Sequence, residues 1–365
     1  MNSKPLVSIA LLCYNHEKYI KKAIESVLLQ TYKNIELVIV DNASADNSLN
    51  LIKSLVGDNL SVRIVELEEN TFPSYGWNYA AKLCKGDYIA SLSGDDYFEY
   101  NKVEQQLDYM LTNDLFNSFT WVNCVDDNNN ILDEHSLTKL FNRDFSNNEL
   151  RRVLLTEGNT LCATSFMFHR SLFKKYGYYD HRLLQSQDYD FWLRIIKYED
   201  IYILPYRLTN YRVRNDESNL SIKMDDTSRK RSIFESINFL KIICSFNLDV
   251  LSSITEEVCT EENKYNNLFK FYIKIDQPLY ALAVIFAMYE ELGTSFDFPS
   301  IEYKYFFELY SDYDLLNILE NENLKKTIHS KDLQIIELNN LIKSQNSMSY
   351  KELLKIFIKK LLKKV

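Results

Sequence analysis

Apolar and polar positions fall in blocks over the first hundred residues, and the block lengths separate strands from helices. Val7 to Leu12 and Ile35 to Val40 are nearly continuous apolar runs, as expected of strands buried on both faces. Between them, Lys18 to Leu29 sets Ile20, Ala23, Ile24, Val27 and Leu28 at helical spacing. Two parallel strands joined by a right-handed helical crossover follow from that pattern. The pattern then repeats. Ser44 or Asp46 can cap a helix running to about Val56, Val62 to Leu67 reads as a strand, Tyr75 to Cys84 as a helix and Tyr88 to Leu92 as a fourth strand. Such a unit is α/β and doubly wound, and its ligands sit beyond the carboxyl ends of the strands. Polar clusters fall at three of those ends: Tyr14-Asn15, Asp41-Asn42 and Asp95-Asp96.

Farther along, Val103 to Leu111 reads as a helix and Phe119 to Val125 as a strand, while Asp126-Asp127 in "VDDNNNILD" has the composition of a hairpin turn. Asp188 opens a helix whose buried face is Phe191, Trp192, Ile195 and Ile196. A carboxylate at a helix N-terminus can complement the helix dipole, and Asp190 suits that role better.

Composition narrows the function classes. With Lys+Arg 42 against Asp+Glu 51, a net charge of −9, the chain lacks the basic excess of a nucleic-acid binder. Its 7 glycines form neither GxGxxG nor GxxxxGK[ST], which removes the glycine-loop ways of holding a phosphate. A divalent cation on carboxylates is another way. Asp95 and Asp96 suit it, although an Asp-Asp pair before "YFEYNKVEQQLDYML" is equally compatible with a turn. Six well-separated cysteines without a CxxC pair point to reduced thiols and a cytoplasmic setting, and the short apolar run in "MNSKPLVSIALLCYNHEKY" predicts neither a signal peptide nor a membrane span.

Three stretches, in order and spacing, carry a resemblance: "VSIALLCYNHEKYIKKAIESVLLQTYKNIELVIVDNASADNS", "KGDYIASLSGDDYF" and "GYYDHRLLQSQDYDFWLRI" followed by "NYRVR". Residues 5 to about 220 resemble a family 2 inverting glycosyltransferase of the GT-A fold, a Rossmann-like nucleotide-binding domain with a mostly parallel mixed sheet. The resemblance implies transfer of a sugar from a nucleotide-diphosphate donor, UDP by preference, to a glycan or lipid-linked acceptor in surface polysaccharide synthesis. It implies that Tyr14, Asn15, Glu17, Asp41, Asn42, Asp95 and Arg212 bind the donor, that Asp96 ligates Mn²⁺ or Mg²⁺, that Asp188 is the catalytic base and that Gln187 lies on the acceptor side. Gln187 stands where the family usually has Glu, Trp77 where it often has Arg, and Arg214 where it often has His. Gln187 and Trp77 keep open a catalytically impaired GT-A domain used for binding or assembly; a nucleotidyltransferase is disfavoured because "CYNHEKY" is neither Gly-rich nor basic. His16 reads as a polar lining residue.

The resemblance ends near residue 222. The expected organisation is a GT-A domain over 1–222, a helical domain over 223–320 and a tail over 321–365. In that tail Ile328, Ile335, Leu338 and Ile342 follow coiled-coil spacing, consistent with a dimer. "KELLKIFIKKLLKKV" at 351–365 is a basic amphipathic helix, suited to the anionic inner face of a cell membrane or to the acidic body of the protein itself.

Overall fold

A computed structural model describes residues 4–215 and 238–275, together with Glu235, Gln277, Tyr280, Ala281, Val284 and Ala287. The coiled-coil and amphipathic segments of 321–365 and much of 223–320 lie outside the described residues. Chain contacts divide the protein into two units, Met1–Asn267 and Leu268–Val365. All residues of the site discussed below belong to the first.

The alternating blocks become strands β1 (Val7–Cys13), β2 (Ile35–Asp41), β3 (Val62–Glu66) and β4 (Tyr88–Ser93), separated by helices α1 (Ile20–Leu28), α2 (Ser48–Val56) and α3 (Pro73–Leu83). β5 (Tyr97–Phe98), α4 (Lys102–Thr112), β6 (Asn117–Val125), α5 (Ser136–Phe141), α6 (Asn147–Thr156), β7 (Met167–His169), α7 (Ser171–Tyr176), α8 (Gln187–Ile196) and β8 (Ile203–Arg212) follow. Among the described residues the strands form one sheet in the order β3-β2-β1-β4-β7-β6-β8-β5. β1 pairs in parallel with β2 and β4, β2 with β3, and β6 with β8, whereas β7 runs antiparallel to β4 and β6. The sheet is therefore mostly parallel and mixed.

Every residue of β1 is buried, because helices cover both faces of a central parallel strand. α1 packs Ile20, Ala23, Ile24 and Val27 against Ile9, Leu11, Leu37 and Ile39 in one core. Truncating one of these, such as Leu11→Ala, costs about 2–5 kcal/mol. α3 starts with Pro73 at its first turn, where the missing N–H is no loss. Its Gly76 sits so close to β1 that a Cβ would come within 2.5 Å of Leu12 Cδ1. α2 differs from the expected start: the helix begins at Ser48, after Asn47, and neither Ser44 nor Asp46 is its N-cap. Both are used instead in the loops beside it. Beyond residue 238 the described chain is helical at 238–244, Leu248–Thr255 and Lys264–Lys274.

Candidate active site

The carboxyl ends of β1, β2 and β4 lie side by side, so the loops leaving them meet. The first two loops exchange hydrogen bonds. Asn15 N–H donates to Ser44 Oγ at 3.0 Å while Ala45 N–H donates to Asn15 Oδ1 at 2.8 Å. Two residues on, Glu17 N–H donates to Asp46 Oδ2 at 3.0 Å and Asn47 N–H to Glu17 Oε2 at 2.9 Å. Asn15 and Ala43 hold φ values of 54° and 58°, left-handed turns that let the loops double back. Asn15 and Glu17 thus fix the shape of the loops, and Tyr14 is exposed beside them.

Asp41, 1% exposed, accepts from both the N–H (2.9 Å) and the hydroxyl (2.6 Å) of Ser44. A carboxylate offers about four lone-pair sites, so acceptor capacity is left for a ligand. Asn42, buried beside it, bonds within the protein. Its Nδ2 donates to Asn70 Oδ1 and Thr71 O, and its Oδ1 accepts from Thr71 N–H and Oγ1, at 2.8–3.0 Å. That amide is committed to the loop after β3.

Asp95 and Asp96 follow β4 and are 5% and 3% exposed. Asp95 Oδ1 accepts from Ser93 Oγ at 2.5 Å, and its Oδ2 faces His16 Nε2 at 3.7 Å and Arg214 Nε at 3.4 Å. Burial pushes the Asp95 carboxyl up, but the opposing charges and the Ser93 hydroxyl outweigh it and hold Asp95 below its ordinary range. Burial lowers His16 while the Asp95 charge raises it, and Arg214 is the second cationic side chain facing Asp95. Asp96 moves the other way: burial, then the neighbouring Asp95 charge, raise it well above the usual carboxylate value. The shifts of the two adjacent buried carboxyls thus run in opposite directions, as expected of a closely coupled pair.

Arg212 is 1% exposed and belongs to this cluster. Its N–H donates to Asp96 Oδ1 at 2.7 Å, its Nε to the Asp95 carbonyl at 2.9 Å and its NH2 to Asn129 Oδ1 at 2.8 Å, with a further bond to the Asp126 carbonyl. The guanidinium also lies 4.6 Å from the Tyr19 ring centroid. Arg212 thereby ties β8 and the 126–129 turn to the acid pair. Asp126-Asp127 form the expected turn: Asp126 accepts from the N–H groups of Asn128 and Asn130 at 2.8 Å, and Tyr19 Oη donates to Asp127 at 2.8 Å.

Asp188 occupies the first turn of α8 and is partly exposed. Its Oδ2 accepts from Asn159 Nδ2 at 3.1 Å and its Oδ1 from Tyr189 N–H at 2.7 Å. Desolvation outweighs these bonds and pushes its pKa up from 3.8 to about 6. Gln187 Oε1 beside it is buried without a hydrogen-bond partner among the described residues. A short segment runs from this carboxylate to the acid pair: Asn159 holds Asp188, and the buried Thr164 hydroxyl lowers the Asp96 carboxyl. The buried Tyr179 phenol lies between the two, raised by desolvation and by the Asp188 charge and lowered by the Ser91 hydroxyl on β4. Sequence reasoning missed Asn159, Thr164 and Glu235, whose carboxylate accepts from Leu184, Gln185 and Ser186 N–H. These contacts join segments far apart in the chain, and no local motif marks them.

A divalent cation fits the acid pair. The two carboxyls are hard oxygen donors whose mutual repulsion it would relieve, and Asp96 keeps lone pairs beyond the one used by Arg212 N–H. Among the described residues no cluster of three or more His, Cys, Asp or Glu side chains could hold a metal ion. Such a site suits an ion shared between one or two carboxylates and substrate phosphates. None of the described helices is long and apolar enough to cross a membrane.

Comparison with known proteins agrees with this geometry. A family model described as Glycosyl transferase family 2 matches residues 8–177. An uncharacterized glycosyltransferase of Methanocaldococcus jannaschii is 34% identical over 222 residues, which are 60% of this chain and 74% of that protein. The Bacillus subtilis protein TuaG, named for teichuronic acid biosynthesis, is 34% identical over 119 residues, 33% of this chain and 47% of its own length. Among solved structures, residues 1–349 of S. aureus TarS with UDP-GlcNAc superpose with a TM-score of 0.55 at 17% identity, covering 84% of this chain and 92% of that one. At that identity the likeness is one of fold, the GT-A arrangement of a nucleotide-binding sheet.

Proposed function

The chain belongs to glycosyl transferase family 2, and from that premise we propose that it moves a sugar, with inversion, from a nucleoside-diphosphate donor to a hydroxyl of a glycan or lipid-linked acceptor. The observation that carries this reading is the contrast between two carboxylate sites joined by one segment: a buried acid pair at the end of β4, and a raised, partly exposed Asp188 at the start of α8. Asp41 accepts hydrogen bonds from the base of the nucleoside, within loops shaped by Asn15 and Glu17. Tyr14 lies against the nucleoside, and Asp95 faces the ribose or sugar while Arg214 holds its charge. Asp96 would hold Mn²⁺ or Mg²⁺, which when bound stabilises negative charge on the departing diphosphate. Asp188 takes the proton of the acceptor hydroxyl as that oxygen attacks the anomeric carbon from the face opposite the leaving group. Its raised pKa makes it a stronger base than an ordinary carboxylate while leaving it ionised near neutral pH. Gln187 Oε1 offers an acceptor hydroxyl a second partner.

UDP is favoured as the carrier because the solved S. aureus TarS fragment holds UDP-GlcNAc in a like fold. Surface polysaccharide synthesis is favoured by the likeness to TuaG. Docking at the membrane face through 351–365 would bring a lipid-linked acceptor to the site. The reading is tested by incubating the protein with single nucleotide sugars, Mn²⁺ and candidate acceptors. It expects free nucleoside diphosphate released in step with acceptor extension; donor binding without release under any pairing would favour a binding module. Deleting residues 351–365 should move the protein from the membrane fraction to the soluble one, and an unchanged distribution would sink the membrane assignment.

A further inference from the structure

Glu235 lies 49 to 51 residues along the chain from the turn it contacts and is 1% exposed. Leu184 N–H donates to its Oε1 at 2.8 Å, Ser186 N–H to its Oε2 at 2.8 Å, and Gln185 N–H is shared between the two oxygens at 3.3 and 3.1 Å. Three successive backbone donors converging on one point make an anion-binding concavity, and here the protein fills it with its own carboxylate. Ser186 is the N-cap residue of α8, yet it makes no side-chain cap hydrogen bond although serine is well suited to one. The entry to the helix is therefore closed by Glu235 from a distance. Asp188 follows two residues later.

We propose that Glu235 is a positioning residue for sugar transfer: by locking the 184–186 turn it sets the direction in which α8 presents the Asp188 carboxylate to the acceptor hydroxyl. The inference rests on the reading of Asp188 as base. A carboxylate buried away from water is a costly means of closing a turn that a local cap could close. Its second effect is electrostatic, since its charge adds to desolvation in raising Asp188. Among the described residues, the other groups that contact or sense Asp188 include the neutral Asn159 amide, the Tyr189 N–H and the Tyr179 phenol. Glu235 is thus the negative charge whose removal Asp188 would register.

The test measures kcat, acceptor KM, donor affinity and the pH profile of kcat for Glu235→Ala, Glu235→Gln and, as reference, Asp188→Asn. Glu235→Ala should lower kcat by up to about 100-fold, the scale of a small misplacement of a reacting group, with donor affinity unchanged. Glu235→Gln keeps the size and one acceptor oxygen but loses the charge, so kcat should fall less and the acid limb of its profile should move to lower pH. A residue that merely holds the fold would leave that limb in place. Wild-type kcat and an unmoved limb in both variants overturn the proposal. Should Glu235→Ala fail to fold, the limb of Glu235→Gln decides, shifted in support or unshifted against. Normal turnover by Asp188→Asn would instead remove the base assignment itself; an inactive Asp188→Asn beside wild-type Glu235 variants would fail the Glu235 inference alone.

Discussion

The end of β4 and the start of α8 both present carboxylates, but the protein surrounds them in opposite ways. Asp95 and Asp96 are buried among His16, Arg212, Arg214, Ser93 and Thr164, so that one acid is held below its usual range and the other above it. Among the described residues Asp188 faces no cation in its first contacts, accepts from one amide and one backbone N–H, and is raised mainly by desolvation. Braced carboxyls under mutual repulsion suit a cation and a fixed diphosphate. A lone raised carboxylate suits a proton. In the proposed reading the same side chain takes two roles because its surroundings differ.

The largest expected effect comes from removing the base. Asp188→Asn should lower kcat by about 10²–10⁴-fold, the usual range for general base catalysis, and leave donor affinity intact. Next, Asp96→Ala should abolish the dependence of donor affinity on Mn²⁺, read by thermal shift with a nucleotide sugar in the presence and absence of the ion. Persistent metal dependence would put the cation elsewhere. Asn159→Ala removes a hydrogen bond to a charged group, a loss of about 1.5–3 kcal/mol, and should slow transfer by about 10- to 100-fold without changing donor affinity.

The dependence on pH sharpens the contrast further. Asp188 must be ionised to accept a proton, so kcat should fall as pH drops through about 6, the value to which desolvation raises it. The effect on stability has the opposite sign. A carboxyl whose folded pKa lies above the ordinary 3.8 makes the folded state bind more protons, so ionised Asp188 costs stability as pH rises. Asp188→Asn should therefore melt slightly higher than the wild type at pH 7.5, and the gap should close as pH falls from about 6 towards 3.8. A lower melting temperature at pH 7.5 would mean that the carboxylate stabilises its site.

Much of this contrast was legible in the residue pattern. The continuous apolar runs at Val7 and Ile35 and the helical spacing of Ile20, Ala23, Ile24 and Val27 reflect burial, which acts locally and repeats with the period of the element. The ends of those strands then located Asp41, Asp95 and Asp96. The use made of each polar group was not legible. Asn42 binds Thr71 and Asn70, and Arg212 binds the carbonyls of Asp95 and Asp126, because partners far apart in sequence meet in the fold. Nothing local in the sequence separates an arginine on a diphosphate from one bracing a turn. Asp46 shows the same limit on a smaller scale: a good capping residue by type, it accepts from Glu17 N–H and Ser48 N–H while Asn47 precedes the helix.

The division of labour between the two carboxylate sites is tested most directly by measuring donor affinity and single-turnover transfer side by side for Asp96→Ala and Asp188→Asn. The two should separate: Asp96→Ala loses metal-dependent donor binding, whereas Asp188→Asn binds the donor with Mn²⁺ as the wild type does and fails to transfer. Transfer at the wild-type rate by Asp188→Asn, or loss of donor binding in that variant, would contradict it.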